Sequence, residues 1–322
     1  MGERQFLKII DSWNALKSSG SDNLILALGN FDGVHRGHQA LINKAVEWAR
    51  RVGCKAGVFT FYPHPQEILS PEDHPLLLLP IEDRIKKFKD LSVDVSLVLP
   101  FCLSMAGKSP EGFVEQVLVK ELGVKGIVIG YNYSFGKGGK GSPELLKELG
   151  KKLGFEVEII QPVRIENHIV SSTLIRRLLS MGKVSEAAQY LGYYPFVRGV
   201  VEHGAKRGRT IGFPTANLRL PVKSVVPALG VYAAQVEIKG RLYGGVVNIG
   251  YRPTVNSDQN IANLEVNIFQ FEEDIYGQEI KVELIECLRG EERFNSLEEL
   301  KGQINKDVFR AREILVGLSG SK

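Results

Sequence analysis

The sequence contains few of the residues that mark several common classes of protein. Only three cysteines occur among 322 residues, Cys54, Cys102 and Cys287. They are far apart, lack the spacing of metal ligands and cannot all pair with one another. This scarcity predicts free thiols in a reducing cytoplasm and argues against a disulfide framework.

Long apolar segments are also lacking. The longest run, Pro75–Pro80, is far too short to span a bilayer, and the first thirteen residues contain no apolar signal core. The 41 basic and 37 acidic residues leave a net charge of only +4, which is too small to indicate a nucleic-acid scaffold. We therefore expect a cytoplasmic protein without membrane contact, long enough for two domains.

The first half of the chain has the pattern of an α/β domain. From residue 24 onward, short apolar runs such as "LILALG" alternate with amphipathic stretches such as "QALINKAVEWARRVG". This alternation predicts a parallel sheet of the nucleotide-binding type with helices on both faces. Two short helices, broken at Gly182, end this half.

The pattern changes after Gly192. Period-two alternation in "FVRGVVEHG", "GVYAAQVEIKG", "RLYGGVVNIG", "ANLEVNIFQF" and "EIKVELIECL" predicts a small antiparallel β-barrel. Ser296, followed three residues later by Glu299, predicts a capping box at the start of a long helix that packs on the barrel. We place one domain at residues 1–188 and the other at 189–322.

The stretch "GNFDGVHRGHQ" has the features of a phosphate site. An apolar strand ends at Leu28, two glycines follow, and we expect the next helix to begin at Gln39 or Ala40. A helix N-terminus at the carboxyl end of a parallel strand offers N–H groups to phosphate. Imidazole N–H groups of His35 and His38 would there stabilise the charge that develops when a phosphorus is attacked.

Two other interpretations of the histidines remain open. Histidines in a loop are often solvated or satisfied structurally. A zinc site is disfavoured, because no further histidine or cysteine stands nearby at the usual spacing. The glycines between a strand and a helix favour phosphate.

Several segments together resemble one enzyme family. "GNFDGVHRGHQ" resembles the H-x-G-H motif of nucleotidylyltransferases, and "TFYPHPQEIL" and "VSSTLIRRLL" resemble two further segments of one branch. That branch is the bacterial bifunctional riboflavin kinase/FMN adenylyltransferase, or FAD synthetase. The resemblance covers nearly everything after residue 24.

For the first domain, the resemblance implies transfer of AMP from ATP to FMN. His35, His38 and Arg176 would be catalytic, binding phosphates and stabilising the transition state. Gly29, Phe31, Asp32, Ser172 and Thr173 would bind the nucleotide, and Phe61 and Asn132 the flavin. The sequence departs from the family at Gly139, where members often have arginine, and at Ser142, where they often have aspartate.

The segment Gly204–Pro221, "GAKRGRTIGFPTANLRLP", contains the second group of motifs. By itself it would suit a solvated hairpin or an RNA-binding loop, but "GFPTANL" is a hallmark of riboflavin kinases. The resemblance implies that Thr215 and Asn217 hold Mg²⁺ with ATP, since hydroxyl and amide oxygens suit this ion. It implies nucleotide binding by Gly204, Arg207, Gly212 and Pro214.

Glu265, in "ANLEVNIFQF", matches the family's catalytic glutamate, which would accept the proton of the riboflavin 5′-hydroxyl. Without the motif, a glutamate on an alternating strand would be assigned to the solvent face. Members frequently have histidine where Asn267 stands. Arg289 and Phe294, in "LRGEERF", would bind the flavin.

The resemblance thus implies an enzyme that converts riboflavin to FMN and FMN to FAD with ATP and Mg²⁺. Its partners would be these small molecules, with no nucleic acid and no membrane, and its oligomeric state is left open. One alternative, motivated by Gly139 and Ser142, is a riboflavin kinase whose first half has weakened. Another is a nucleic-acid-binding protein, but "KRGR" at Lys206–Arg209 lacks interleaved aromatic residues.

Overall fold

A computed structural model divides the chain into two compact units, Met1–Ser172 and Thr173–Lys322. The structure describes residues 7–18, 23–204, 212–219, 224–252 and 261–319. The division falls at the start of the first of the two short helices. The functional boundary between residues 188 and 189 stays a prediction.

A six-stranded parallel sheet forms the centre of the first unit. Its strands are β1 (Lys8–Ile10), β2 (Leu24–Leu28), β3 (Lys55–Phe61), β4 (Val95–Leu99), β5 (Val124–Gly130) and β6 (Glu156–Ile160). They lie in the order β1-β4-β3-β2-β5-β6. The sequence pattern did not identify β1, because it has only three residues and precedes the alternating region.

Helices cover both faces of this sheet. They are α1 (Trp13–Ser18), α2 (Arg36–Val52), α3 (Pro65–Leu69), α4 (Ile81–Asp90), α5 (Leu103–Ala106), α6 (Pro110–Phe113) and α7 (Pro143–Leu153). A π-helical segment, Val114–Glu121, continues α6, and the turn Lys137–Gly139 is a 3₁₀ helix. Leu26 of β2 packs in one hydrophobic core and Ile25 in another. Because side chains alternate along a strand, the two cores lie on opposite faces, as predicted.

The order of the strands fixes the position of a ligand crevice. From β2 the chain continues through α2 to β3 on one side, whereas from β5 it continues through α7 to β6 on the other. The connections therefore diverge between the neighbouring strands β2 and β5. Ligands of open α/β sheets bind at the carboxyl ends of the strands at such a switch point. The loop of residues 29–35, hereafter the histidine loop, follows β2, contains His35 and leads into His38 of α2, so it lies there.

The second unit is a closed antiparallel barrel, as the alternation predicted. Its strands are β9 (Phe196–Glu202), β10 (Ala216–Leu218), β11 (Gly230–Ile238), β12 (Arg241–Arg252), β13 (Ile261–Ile268) and β14 (Glu279–Gly290). They close in the order β10-β13-β12-β11-β14-β9. Two pairs of elements precede the barrel in the chain. The first pair is a short hairpin of the first unit, β7 (Arg164–Ile165) and β8 (His168–Ile169), and the second is the helices α8 (Ser172–Ser180) and α9 (Val184–Leu191). Gly182 separates the helices with a φ of +74°, in agreement with the expected break.

The C-terminal helix α10 (Leu297–Ser319) packs on the barrel as predicted. Ala311 of this helix lies in one hydrophobic cluster with Val231 and Leu288 of the strands. Ser296 accepts the main-chain N–H of Glu299 at 3.1 Å, which confirms the N-terminal cap. The Glu299 carboxylate accepts the N–H of Asn295 at 2.9 Å, one residue before the expected partner. None of the helices in the described ranges combines the length and the apolar character that a bilayer crossing requires.

Candidate active sites

The two histidines lie face to face at the beginning of α2. Their ring centroids are 3.6 Å apart and their planes are 13° from parallel. Nδ1 of His35 accepts a hydrogen bond from the main-chain N–H of His38 at 3.2 Å. Because Nδ1 is the acceptor, the proton of neutral His35 is on Nε2. The His35 side chain therefore caps the first turn of the helix, where main-chain N–H groups have no partner within the helix.

Helix α2 begins earlier than the sequence predicts. We expected Gln39 or Ala40 as the first helical residue, but the helix starts at Arg36. The prediction was wrong because it did not anticipate a histidine in the capping role that serine or aspartate usually fills. As a result, His38 lies within the first turn, beside the positive end of the helix dipole.

Gly37 is needed for the packing of the two rings. An ideal Cβ at this position would lie 3.1 Å from Cε1 and 3.2 Å from Nδ1 of His35. Both distances are shorter than the roughly 3.5 Å of ordinary contact. The glycine of the H-x-G-H sequence thus lets the His35 ring lie over the helix backbone.

The loop before the histidines has a strained backbone. Phe31, Gly33 and Val34 have φ angles of +50°, +81° and +36°. Two of these residues carry a Cβ, for which positive φ is unfavourable, so surrounding contacts must hold the loop in place. One such contact is the Thr60 hydroxyl, which donates to the Asn30 carbonyl at 3.2 Å.

Asp32 supplies further contacts that hold this loop. Its buried carboxylate accepts the main-chain N–H groups of Leu78 and Leu79 at 2.9 and 3.2 Å. Its carbonyl accepts the hydroxyl of Ser172 at 3.0 Å. The structure thus brings together Asp32 and Ser172, both predicted nucleotide-binding residues. Their contacts with the nucleotide itself stay predictions.

Arg84 belongs to the same region, although the sequence analysis did not identify it. Its side chain is only 1% exposed. Nε donates to the Leu79 carbonyl at 3.0 Å and Nη1 to the Asn30 carbonyl at 3.1 Å. Nη2 lies 3.8 Å from Oδ1 of Asp32. A buried guanidinium therefore lies behind the histidine loop.

The surroundings of His38 favour its neutral form. Burial lowers the pKa of His38 well below its usual value of 6.5, and the neighbouring His35 and Arg84 lower this pKa further. The edge of the ring packs against Phe31, with centroids 5.3 Å apart. Nδ1 of His38 is buried and makes no hydrogen bond to the described residues. A neutral imidazole in this position is suited to donate an N–H to an anionic ligand.

The two predicted flavin residues of the first unit both lie at the carboxyl ends of strands. Phe61 ends β3 and packs against Phe59 and Phe101, with ring centroids 5.0 and 5.1 Å away. Asn132 is exposed in the loop that follows β5. Since β3 and β5 both adjoin β2, these residues flank the histidine loop.

The two departures from the family have local structural explanations. Ser142 caps α7 by accepting the N–H of Leu145 at 3.2 Å. Aspartate caps helices equally well, so serine preserves this function. Gly139 has a φ of +65°, a conformation that disfavours arginine.

Ser172, Thr173 and Arg176 all lie on α8, which begins at the boundary between the units. Ser172 and Arg176 are four residues apart and therefore share one face of the helix. Ser172 belongs to the first unit, whereas Thr173 and Arg176 belong to the second. Their contacts with phosphate stay predictions.

In the barrel, the predicted catalytic residue Glu265 and the predicted metal-binding residue Asn217 lie on adjacent strands. Glu265 of β13 is opposite Asn217 of β10 and Asn248 of β12. The amide of Asn263 donates to Oε1 of Glu265 at 3.1 Å and to Oδ1 of Asn217 at 3.4 Å. Leu264, between Asn263 and Glu265, points into the barrel and is buried. Glu265 and Asn217 thus belong to one polar cluster on the outer face.

The segment Pro214–Asn217 runs into a strand, because β10 begins at Ala216. Asn217 is in the centre of β10, which the sequence analysis missed because the strand is short and follows a proline. The amide of Asn267 donates to the Pro214 carbonyl at 2.8 Å and so connects β13 to this segment. Thr215 stands immediately before the strand. Gly212 is exposed with a φ of +89°.

Gly204 leaves space for the Asn217 side chain. An ideal Cβ at Gly204 would lie 2.1 Å from Nδ2 of Asn217, closer than any real contact. The structure therefore gives Gly204 a steric function beside its predicted nucleotide-binding function. Arg207, with the rest of Lys206–Arg209, lies outside the described residues.

Arg289 and Phe294, which share the segment "LRGEERF", are close together. The Arg289 guanidinium lies 5.5 Å from the centroid of the Phe294 ring. Its Nε and Nη2 each lie 3.0 Å from Oδ2 of Asp307, a buried residue of α10. Gln303 donates to the same carboxylate at 2.9 Å. Sequence reasoning missed Asp307, which lies in an ordinary amphipathic helix.

Two family models match the chain in the order of its two units. The FAD synthetase model matches residues 17–174, and the riboflavin kinase model matches residues 191–315. The bifunctional riboflavin kinase/FMN adenylyltransferase of Bacillus subtilis is 40% identical over 89% of this chain and 91% of its own. The protein of the same name from Listeria monocytogenes is 41% identical over 92% and 94%.

A solved structure supports the fold over the whole length. A crystal structure described as a macrolide-efflux protein from Streptococcus pneumoniae has a TM-score of 0.86 and is 36% identical, covering 95% of this chain and 99% of its own. Its name differs from the names of the relatives above, but its fold agrees. With both family models matched and relatives at about 40% identity over nearly the full length, the chain belongs to the bifunctional riboflavin kinase/FMN adenylyltransferases.

Proposed function

We propose that the two reactions of this family are carried out at the two sites described above. The barrel converts riboflavin and ATP to FMN and ADP, and the parallel-sheet unit converts FMN and ATP to FAD and pyrophosphate. The boundary between the two activities is placed at residues 188 and 189. The assignment of FAD formation to the parallel-sheet unit depends on one observation. His35 and His38 are stacked at the start of α2, at the switch point of the sheet.

In FAD formation, a phosphate oxygen of FMN attacks the α-phosphorus of ATP. The bond from this phosphorus to the oxygen bridging to the β-phosphorus breaks, and pyrophosphate leaves. Negative charge grows on the phosphate oxygens during this step. Neutral His38 donates its ring N–H to these oxygens, as does Nε2 of His35.

The other residues of this site bind and orient the substrates. The loop residues Gly29, Phe31 and Asp32 form the nucleotide pocket. For Ser172, Thr173 and Arg176 of α8 we propose phosphate binding, in which the Arg176 guanidinium would offer a planar fork of donors. Phe61 and Asn132 contact the flavin at the carboxyl ends of the strands.

In FMN formation, the 5′-hydroxyl oxygen of riboflavin attacks the γ-phosphorus of ATP, and ADP leaves. Glu265 accepts the hydroxyl proton. The half-buried position of Glu265, with Asn263 holding one carboxylate oxygen, supports this role. The nucleotide is held by Gly204, Arg207, Gly212 and Pro214, and Arg289 and Phe294 cover the flavin.

The residues around β10 fit Mg²⁺. Thr215 and Asn217 offer hard oxygen donors, and the Glu265 carboxylate belongs to the same cluster. Within the described ranges, no three His, Cys, Asp or Glu side chains are grouped as a metal site. The protein would therefore supply only part of the ligand set, which is normal for Mg²⁺ bound with nucleotide phosphates and water. When bound, Mg²⁺ neutralises phosphate charge. Thr215 and Asn217 would hold it together with ATP.

The cytoplasm is the proposed location. All three cysteines, Cys54, Cys102 and Cys287, are free thiols in the structure. Free thiols and nucleotide substrates both suit a reducing compartment that contains ATP.

The test is product analysis by chromatography with riboflavin and FMN as separate starting substrates. We expect His38→Ala to reduce FAD formation from FMN by about 10²- to 10⁴-fold with FMN formation retained. Glu265→Gln should reduce FMN formation by a similar factor and leave FAD formation intact. Treatment with EDTA should stop both reactions, and added Mg²⁺ should restore them.

Two matched variants serve as controls. His168→Ala removes an exposed histidine of β8, and Glu237→Gln removes a strand glutamate that faces Lys281. Both should leave both reactions unchanged. Equal effects of His38→Ala on the two reactions would contradict separate sites.

A further inference from the structure

Arg84 occupies a position that a hydrophobic residue would normally fill. It lies on the buried face of α4 with Ile81 and Phe88, and its side chain is only 1% exposed. Burying a guanidinium is costly unless hydrogen bonds and an opposite charge compensate it. A helix that needed only to pack on the sheet would not require an arginine here.

The hydrogen bonds of Arg84 complete a closed circuit around the histidine loop. The Asp32 carboxylate accepts the N–H of Leu79, and the Leu79 carbonyl accepts Nε of Arg84 at 3.0 Å. Nη1 of Arg84 donates to the Asn30 carbonyl at 3.1 Å, which returns the circuit to the loop. Asn30 directly precedes Phe31, the first of the positive-φ residues. The guanidinium therefore clamps the strained part of the loop from behind.

We propose that Arg84 is a positioning residue for adenylyl transfer, which holds the loop of residues 29–35 so that His35 and His38 meet the ATP phosphates. This inference rests on the proposed function of the first unit. A planar fork with separate donors can bind two carbonyls in different directions at once, which a lysine ammonium does with less fixed geometry.

The charge of Arg84 has a second effect, on the protonation of His38. Two titratable groups act on the His38 ring: His35, stacked on it from the same loop, and Arg84 from α4. Both lower the pKa of His38, after the larger effect of burial. Loss of the Arg84 charge should therefore raise this pKa, and His38 would become protonated at a higher pH.

The experiment compares Arg84→Met and Arg84→Lys in the full-length chain, with FMN formation by the same preparations as an internal reference. We expect Arg84→Met to lower kcat for FAD formation by about 10- to 100-fold, because displacement of reacting groups by about 1 Å has effects of this size. The acidic limb of its pH–rate profile should move to higher pH. Arg84→Lys keeps the charge and should retain the wild-type acidic limb with an intermediate kcat. FMN formation should be unchanged in both.

The control is Lys86→Met, which removes a cation from the exposed face of the same helix. It should leave both reactions and the pH profile as in the wild type. The proposal is overturned if Arg84→Met makes FAD at the wild-type kcat with an unmoved acidic limb. It is also overturned if Arg84→Met and Arg84→Lys lose activity equally and in proportion to unfolding of the first unit, measured by hydrogen exchange. Wild-type protein that forms no FAD would refute the proposed function and this inference together, which distinguishes that result from the other two.

Discussion

The substitution Gly204→Ala tests whether the packing around Asn217 controls the kinase reaction. The added Cβ would lie 2.1 Å from Nδ2 and 2.6 Å from Cγ of Asn217. Non-bonded heavy atoms need about 3.5 Å, so the Asn217 side chain must move by more than about 1 Å. Such a displacement of a group that orients substrate or metal costs about 100-fold in rate.

The assay measures FMN formation from riboflavin and FAD formation from FMN on the same preparation. We expect Gly204→Ala to lose about 100-fold in the first reaction and nothing in the second. Gly302→Ala, in α10, is the matched control, because an added Cβ there meets nothing within 4 Å. Riboflavin phosphorylation by Gly204→Ala at the wild-type rate would refute the assigned role of Asn217.

Two further predictions concern stability. The first unit should lose stability as the pH falls below about 6.5, because His38 takes up a proton in the unfolded chain more readily than in the folded one. Thermal unfolding between pH 5 and 8 should show this dependence, and His38→Asn should flatten it. The same dependence of melting temperature on pH in the wild type and in His38→Asn would contradict the prediction. Asp307→Asn should lower the free energy of unfolding of the barrel by about 3 kcal/mol, since it breaks a largely buried ion pair with Arg289. The same substitution should raise KM for riboflavin without affecting FAD formation. Urea unfolding and steady-state kinetics measure these changes. Glu292→Gln, whose carboxylate is exposed and 3.8 Å from the same guanidinium, should change stability little; a similar loss in both variants would contradict the special role of Asp307.

The architecture of both units could be predicted because it depends on periodic apolar patterns. Alternating strands and amphipathic helices indicated the parallel sheet, and period-two alternation indicated the barrel. Short elements carry too little pattern to be recognised. The three-residue strands β1 and β10 were missed for this reason, although β10 contains Asn217.

The candidate sites were predictable where a local motif marks them and not where tertiary contacts make them. His35 and His38 stand in a motif, but the capping role of His35 depends on how its ring folds back on the helix. Arg84 and Asp307 lie in amphipathic helices whose charged residues are normally solvated. The only signal for Arg84 is its position between Ile81 and Phe88, at the three- and four-residue spacing of a buried helix face.

Closure of the barrel also has a consequence for association between chains. Among the described strands, the closed barrel presents no unpaired strand edge, whereas the parallel sheet ends at β1 and β6. β6 carries Glu156 and Glu158, the latter paired with Lys44 at 3.2 Å, and charges on an edge oppose the addition of a foreign strand. β1 has only three residues and so offers a short edge. Intermolecular β-pairing during refolding should therefore begin in the half of the polypeptide that makes FAD, and the isolated barrel should be the more resistant to aggregation.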